Sequence, residues 1–142
     1  MTPSITAAQA RDALDRVVAA AAAAEMTIAV AIVDAHGDLV ASFRMDGAHP
    51  RFMNVSIRKA YTASMREQTT DSLHEELVRR NIEIANFGDP LFTCLPGGFY
   101  VVDAAGATIA GIGVTGRTRG RDEEFGRAAV AAFGPGATAP TE

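Results

Sequence analysis

Tryptophan is absent from this 142-residue chain, tyrosine occurs twice, and aromatic residues together make up 6%. A surface that stacks bases between aromatics and cations has little material here, and the net charge of −4 denies it a basic face, so no nucleic-acid partner is expected. The single cysteine, Cys94, excludes an intrachain disulfide and cysteine-rich zinc sites, and fits a reducing, cytoplasmic setting. MTPSITAAQARD lacks the basic stretch and long apolar core of a signal peptide, and the alanine run at 19–24 is too short to cross a bilayer. No membrane association is expected.

What is present is ordinary for a globular protein: 48% hydrophobic and 21% charged residues, enough for one domain over 1–142 with its own core. Thr6 and Gln9 have capping-box spacing, and Ala10, Leu14, Val17, Val18 and Ala21 follow at helical intervals, so 6–24 reads as an amphipathic helix. Thr27–Val33 is rich in β-branched residues and Asp38–Phe43 alternates. Between them Asp34-Ala35-His36-Gly37 is a hairpin signal, with aspartate at the turn entry and glycine where positive φ is wanted. The pattern returns in YVVDAAGATIAGIGV (100–114), where Asp103 and Gly106 take the places of Asp34 and Gly37.

These two hairpins supply four antiparallel strands, and a sheet of about five is expected. Helices are expected over Met53–Arg66, from a capping box at Ser72-Leu73-His74-Glu75 to about Ala85, and from an Asp122 cap over Glu123–Phe133, where Gly134-Pro135 ends it. The tail 134–142 is expected to fray. The order α-ββ-αα-ββ-α describes an α+β domain with helices flanking an antiparallel sheet.

GIGVTG (111–116) has the G-x-G-x-x-G spacing of dinucleotide sites. That fingerprint works where it follows a strand and opens a helix, with an acid about 20 positions on to hold the ribose. Here its first two glycines sit inside a hairpin strand, and Ala131–Gly136 offers no acid. NAD and FAD are therefore not expected. Glycines within a strand instead point to a close approach by another backbone or a ligand. The following loop, GRTRGRDEE, carries Arg117, Arg119 and Arg121, which could hold an anion.

The other concentrated polar stretch is FRMDGAHPRFMNVSIRKAYTAS (43–64). Arg44 and Lys59 could clamp a carboxylate by charge-assisted hydrogen bonds, while Asp46 orients Arg44 or acts as a base. His49 is the histidine best placed for chemistry, as base or iron ligand. His36, at a hairpin tip, and His74, in a helix first turn, read as surface residues. No metal-ligand spacing and no Ser-His-Asp order is present.

Five segments resemble the GlcG/HbpS family of haem-binding and haem-degrading-domain proteins: VDAHGDLVASFRMDGA (33–48), RKAYTAS (58–64), PGG (96–98), GIGVTG and RDEE (121–124). The likeness runs from about residue 6 to 133, in the family's order. The family's R-M-D-G-A falls on Arg44 to Ala48, its K-A-x-T-A on Lys59, Ala60, Thr62 and Ala63, and its G-V-S-G on Gly113 to Gly116. Thr115 stands where the family usually has serine. Phe99-Tyr100-Val101 and His49-Pro50-Arg51 depart from its pattern.

The resemblance implies a profilin-like sandwich, a homo-oligomer, and haem or another tetrapyrrole as ligand. On that reading His49, Tyr61 and Tyr100 are candidate axial ligands, and Arg44, Thr62, Gly97, Gly98, Thr115 and Gly116 line the pocket. The alternative is a cofactor-independent lyase or isomerase of small organic acids. There Arg44 and Lys59 bind the carboxylate, His49 or Asp46 moves the proton, and N–H groups near Gly97-Gly98 or Gly116 steady an enolate oxygen.

Overall fold

The Thr6 capping box forms in full. Thr6 Oγ1 accepts the Gln9 N–H at 3.0 Å, and the Gln9 side chain accepts the Thr6 N–H at 2.9 Å. Two donors that a helix start leaves unpaired are thereby satisfied. Helix α1 runs Ala7–Ala23 and buries Ala10, Ala13, Leu14, Val17 and Ala21 along one stripe. The structure is a computed structural model that describes residues 4–142.

Strands β1 (Ile28–Asp34), β2 (Leu39–Arg44), β3 (Gly98–Val102) and β4 (Thr108–Gly116) form one antiparallel sheet in the order β2-β1-β4-β3. It has four strands, not the expected five; β1, the first strand of one hairpin, pairs with β4, the second strand of the other, so the two halves close on each other without a further strand. The turns are alike in atomic detail. Asp34 Oδ1 accepts from the N–H groups of His36 and Asp38, and Asp103 Oδ1 accepts from those of Ala105 and Ala107. Each aspartate thus replaces backbone partners that the reversing chain cannot supply.

The sheet has two unlike faces, as strand periodicity requires. One carries Ile28, Val30, Ile32, Ile112 and Val114 and packs on α1 and on Phe125, Ala129 and Phe133. The other carries small residues, Ala29, Ala31, Gly111, Gly113 and Thr115, under helix α2 (Phe52–Arg66). Helix α2 answers with its own small ridge, Ser56, Ala60 and Ser64 at four-residue spacing, all buried. A Cβ on Gly113 would overlap the Ser56 carbonyl and stand 2.9 Å from Ala60 N, and one on Gly111 would overlap the Ala60 carbonyl. The glycines of GIGVTG therefore admit a helix backbone.

Helix α3 spans Thr70–Arg80, and its cap is Thr69, not Ser72: Thr69 Oγ1 accepts the Ser72 N–H at 3.1 Å. Starting three residues earlier puts Thr70, Leu73 and Leu77 in the buried positions. The helix stops before Ala85 because Asn81 turns to φ +51° and sends its N–H back to Leu77 and Val78, with a short 3-10 turn at Ile84–Phe87. Helix α4 is also shorter than expected, Asp122–Arg127, followed by a 3-10 turn at Val130–Phe133. Asp122 does not cap it; its carboxylate accepts from Thr118 Oγ1 at 2.6 Å. The segment expected to fray is tied down where Val102 and Thr138 exchange both backbone hydrogen bonds and Ala139 is buried. No helix among the described residues is long and apolar enough to cross a membrane.

Candidate functional site

Lys59, the only lysine of the chain, is buried in the middle of α2 with 4% of its surface exposed. Its Nζ donates to Val114 O at 2.8 Å. At that end of the ladder Val114 N donates to Gly97 O, while Gly97 adopts φ +111° as the chain enters β3. Lys59 supplies the donor that this strand end does not. A side chain at Gly97 has no room: its Cβ would lie 2.5 Å from Val114 O, 3.1 Å from Lys59 Nζ and 3.3 Å from Asp122 Oδ2. Burial pulls the Lys59 pKa down to about 8, against the opposing attraction of Asp122 and Asp71. Burial likewise raises the Asp122 carboxyl, opposed by the Thr118 hydrogen bond and the Lys59 charge. Thr70 closes the cluster by accepting the Gly98 N–H at 2.8 Å. Five segments meet at this polar hub.

Arg44 and Lys59 do not converge on one carboxylate. Arg44 is exposed at the end of β2, opposite Ala29 of β1, whereas Lys59 bonds to β4. Two strand spacings, about 10 Å, separate β2 from β4. Asp46 and His49 are exposed in the turn before α2, and Lys59 lies two turns further along that helix, about 10 Å from its start.

The remaining expected residues hold the fold. Thr62 Oγ1 donates to Arg58 O at 2.8 Å and accepts the Thr93 N–H at 3.0 Å. Tyr61 donates to Asp89 Oδ2 at 2.6 Å, a bond that raises its own pKa, and its ring lies beside Phe92. Together they pin segment 89–93 against α2. Tyr100 is half-buried in β3, where burial first, then the charges of Glu67 and Glu142, raise its hydroxyl pKa. Ser56 Oγ donates to Ala29 O at 2.9 Å and lies 2.8 Å from Thr115 Oγ1. Gly116 pairs with Ile28, and the Gly98 N–H is already taken by Thr70, so neither glycine faces a vacant oxyanion position.

Two surface grooves bring other residues together. One, of about 500 Å³, runs beside α3 and is walled by Leu77, Val78, Ile82 and Ile84, with His74 and Cys94 on the same surface. The other, of about 410 Å³, lies at the sheet end where β1 begins and β4 finishes, and gathers His49, Pro50, Phe52 and Arg117. His74 carried a readable signal: its spacing of three and four to Leu77 and Val78 puts all three on one helix face. Its meeting with Cys94, and that of His49 with Arg117, depends on tertiary packing. Among the described residues no three His, Cys, Asp or Glu side chains gather as a metal site.

The chain is similar in structure to a double mutant of HbpS from Streptomyces reticuli, with 32% identity and a TM-score of 0.84 over 94% of this chain and 90% of that one. A complex of PduOC with heme matches with 22% identity and a TM-score of 0.81, covering 98% of this chain and 99% of that one. ORFY from Klebsiella pneumoniae matches with 23% identity and a TM-score of 0.82, over 94% and 92%. The likenesses to PduOC and ORFY show the shared fold. No curated protein sequence matches this chain. The family model described as haem degrading protein HbpS-like covers residues 5–131, and with the α+β sandwich in place the chain belongs to the HbpS-like family.

Proposed function

We propose that this protein binds haem in the groove beside α3, as a homo-oligomer. The observation that carries the reading is the groove's chemistry. Leu77, Val78, Ile82 and Ile84 give a porphyrin an apolar wall, and His74 and Cys94 are both side-chain types that ligate haem iron. Its volume of about 500 Å³ falls within the range of cofactor sites, about 300–1,000 Å³. Membership of the HbpS-like family and the likeness to a protein solved with heme support the same ligand. The earlier axial candidates are less well placed. Tyr61 spends its hydroxyl on Asp89, Tyr100 is half-buried in β3, and His49 belongs to the other groove. When bound, haem supplies the iron chemistry; the chain supplies the apolar wall and the ligand.

Titration with haemin is expected to give a saturable Soret shift at one equivalent per chain. His74→Ala or Cys94→Ser should move the Soret maximum, and Val78→Glu should weaken binding at least about tenfold by placing a charge in the wall. No saturable shift, or unchanged binding in Val78→Glu, would reject the reading.

The proposed assembly is supported by β2. As an edge strand it offers an unpaired backbone row, and it exposes Leu39 and Phe43 by 47% and 46%. Light scattering should return a multiple of 14.9 kDa, and Phe43→Glu should lower it toward the monomer. A monomeric mass for the unaltered chain would contradict self-association.

A further inference from the structure

We infer that the groove at the sheet end is a second ligand site, taking a small organic carboxylate with an apolar body. Arg117 follows β4 directly, and the antiparallel pairing of Gly116 with Ile28 sets it beside Thr27 and the turn that holds His49. The groove of about 410 Å³ thereby receives a guanidinium and an imidazole from segments 68 positions apart in sequence (117 less 49). A neighbouring depression shares Thr27 and Arg117 and adds Arg119. Five arginines are held by carboxylates, namely Arg16, Arg66, Arg80, Arg121 and Arg127. Arg117 and Arg119 are among the seven arginines with no such partner among the described residues, and of those seven they are the two that line these depressions. A chain with net charge −4 thus keeps two uncommitted cations at one mouth.

His49 is oriented as well as present. Its Nδ1 accepts the Arg51 N–H at 3.2 Å, which places the ring proton of the neutral form on Nε2 as a donor. The ring is steadied by Phe52, with centroids 5.7 Å apart. Arg117 offers a planar fork suited to a carboxylate, and His49 offers a third donor. Phe52, Pro50 and Ala48 supply the apolar contact, so the site selects more than charge. Glu25, at the edge of the Arg119 depression, disfavours a second anionic group there. The ligand is a monocarboxylate with a short hydrocarbon or aromatic part.

The site is separate from the groove proposed for haem, and its test is independent of that reading. Benzoate titrated into the full chain, followed by the His49 ring resonances, is expected to give a saturable one-to-one shift. Arg117→Gln should weaken it about tenfold, and His49→Ala should weaken binding measured by calorimetry. Inorganic phosphate, which has charge without an apolar body, should bind more weakly than benzoate. No saturable shift, or equal affinity in Arg117→Gln, would overturn the site. Phosphate binding as tightly as benzoate would overturn the ligand class. Haemin moving the His49 resonances at one equivalent would overturn its separateness, since the propionates would then occupy it.

Discussion

Gly113→Ala is expected to lower the melting temperature by about 10 °C. Inserting a methylene into a well-packed site costs about 1–3 kcal/mol when side chains can shift. Here the new Cβ would overlap a helix carbonyl, that of Ser56, and crowd Ala60 N at 2.9 Å, so the backbone itself must move. Helix α2 is fastened to the same face by Ser56 to Ala29 O, Lys59 to Val114 O and Ser64 to Asp34 O. Separating helix and sheet strains all three bonds. A cost of about 3 kcal/mol follows, and at roughly 3–4 °C per kcal/mol for a chain of this size it gives the stated shift. Gly88→Ala is the comparison: φ there is +69° with open space around it, so it should cost only the left-handed backbone penalty of about 1–2 kcal/mol. Equal melting temperatures for the two variants would contradict the close approach of α2.

The second large effect is a pH dependence carried by Lys59. Its folded pKa of about 8 lies below the ordinary value of 10.5, so between those values the unfolded chain binds more protons than the folded one. Stability therefore rises with pH through this window. Below pH 8 both states hold the proton, and the cost of burying the charge is fully present. At ~1.4 kcal/mol per pKa unit the rise amounts to about 3 kcal/mol. Tyr61 and Tyr100, both raised, pull stability the other way above pH 10. They do so equally in a variant, so the difference between the unaltered chain and Lys59→Met isolates the lysine. Denaturant unfolding at pH 7 and at pH 10.5 should show that difference change by about 3 kcal/mol in favour of the unaltered chain. A difference that does not change with pH would contradict the burial of Lys59. Because it is the only lysine, no other side-chain amine confuses the result.

Much of the fold was legible because its signals are local. Asp34 and Gly37 lie three residues apart, as do Asp103 and Gly106, and a turn is decided within that distance. The α1 stripe likewise repeats within each helical turn. The start of α3 shows the limit: Thr69 and Ser72 both have cap chemistry, and what separates them is that Leu73 and Leu77 must reach buried positions. The strand count failed for a related reason, since nothing in a hairpin sequence says whether two hairpins pair directly.

The sites were less legible than the fold. Arg44, Asp46, His49 and Lys59 crowd one stretch of sequence, yet the pleat and the helix carry them apart. Lys59 meets Asp122 and Gly97 at the hub, although 63 and 38 positions separate them in sequence (122 less 59 and 97 less 59). Cys94 joins His74 only because Thr62 and Tyr61 pin the segment just before it to α2. GIGVTG carried a true signal under a false one: its glycines do admit a backbone, and the backbone is that of α2.

Lys59 sits in a buried polar hub, whereas the groove proposed for haem lies at the surface beside α3. Haemin binding by Lys59→Met and Val78→Glu, each shown to be folded, tests that separation most directly. Lys59→Met should keep the one-equivalent Soret shift with unaltered affinity, while Val78→Glu loses at least about tenfold. Loss of haemin binding in Lys59→Met with full binding in Val78→Glu would contradict it, placing the ligand at the hub and not in the groove beside α3.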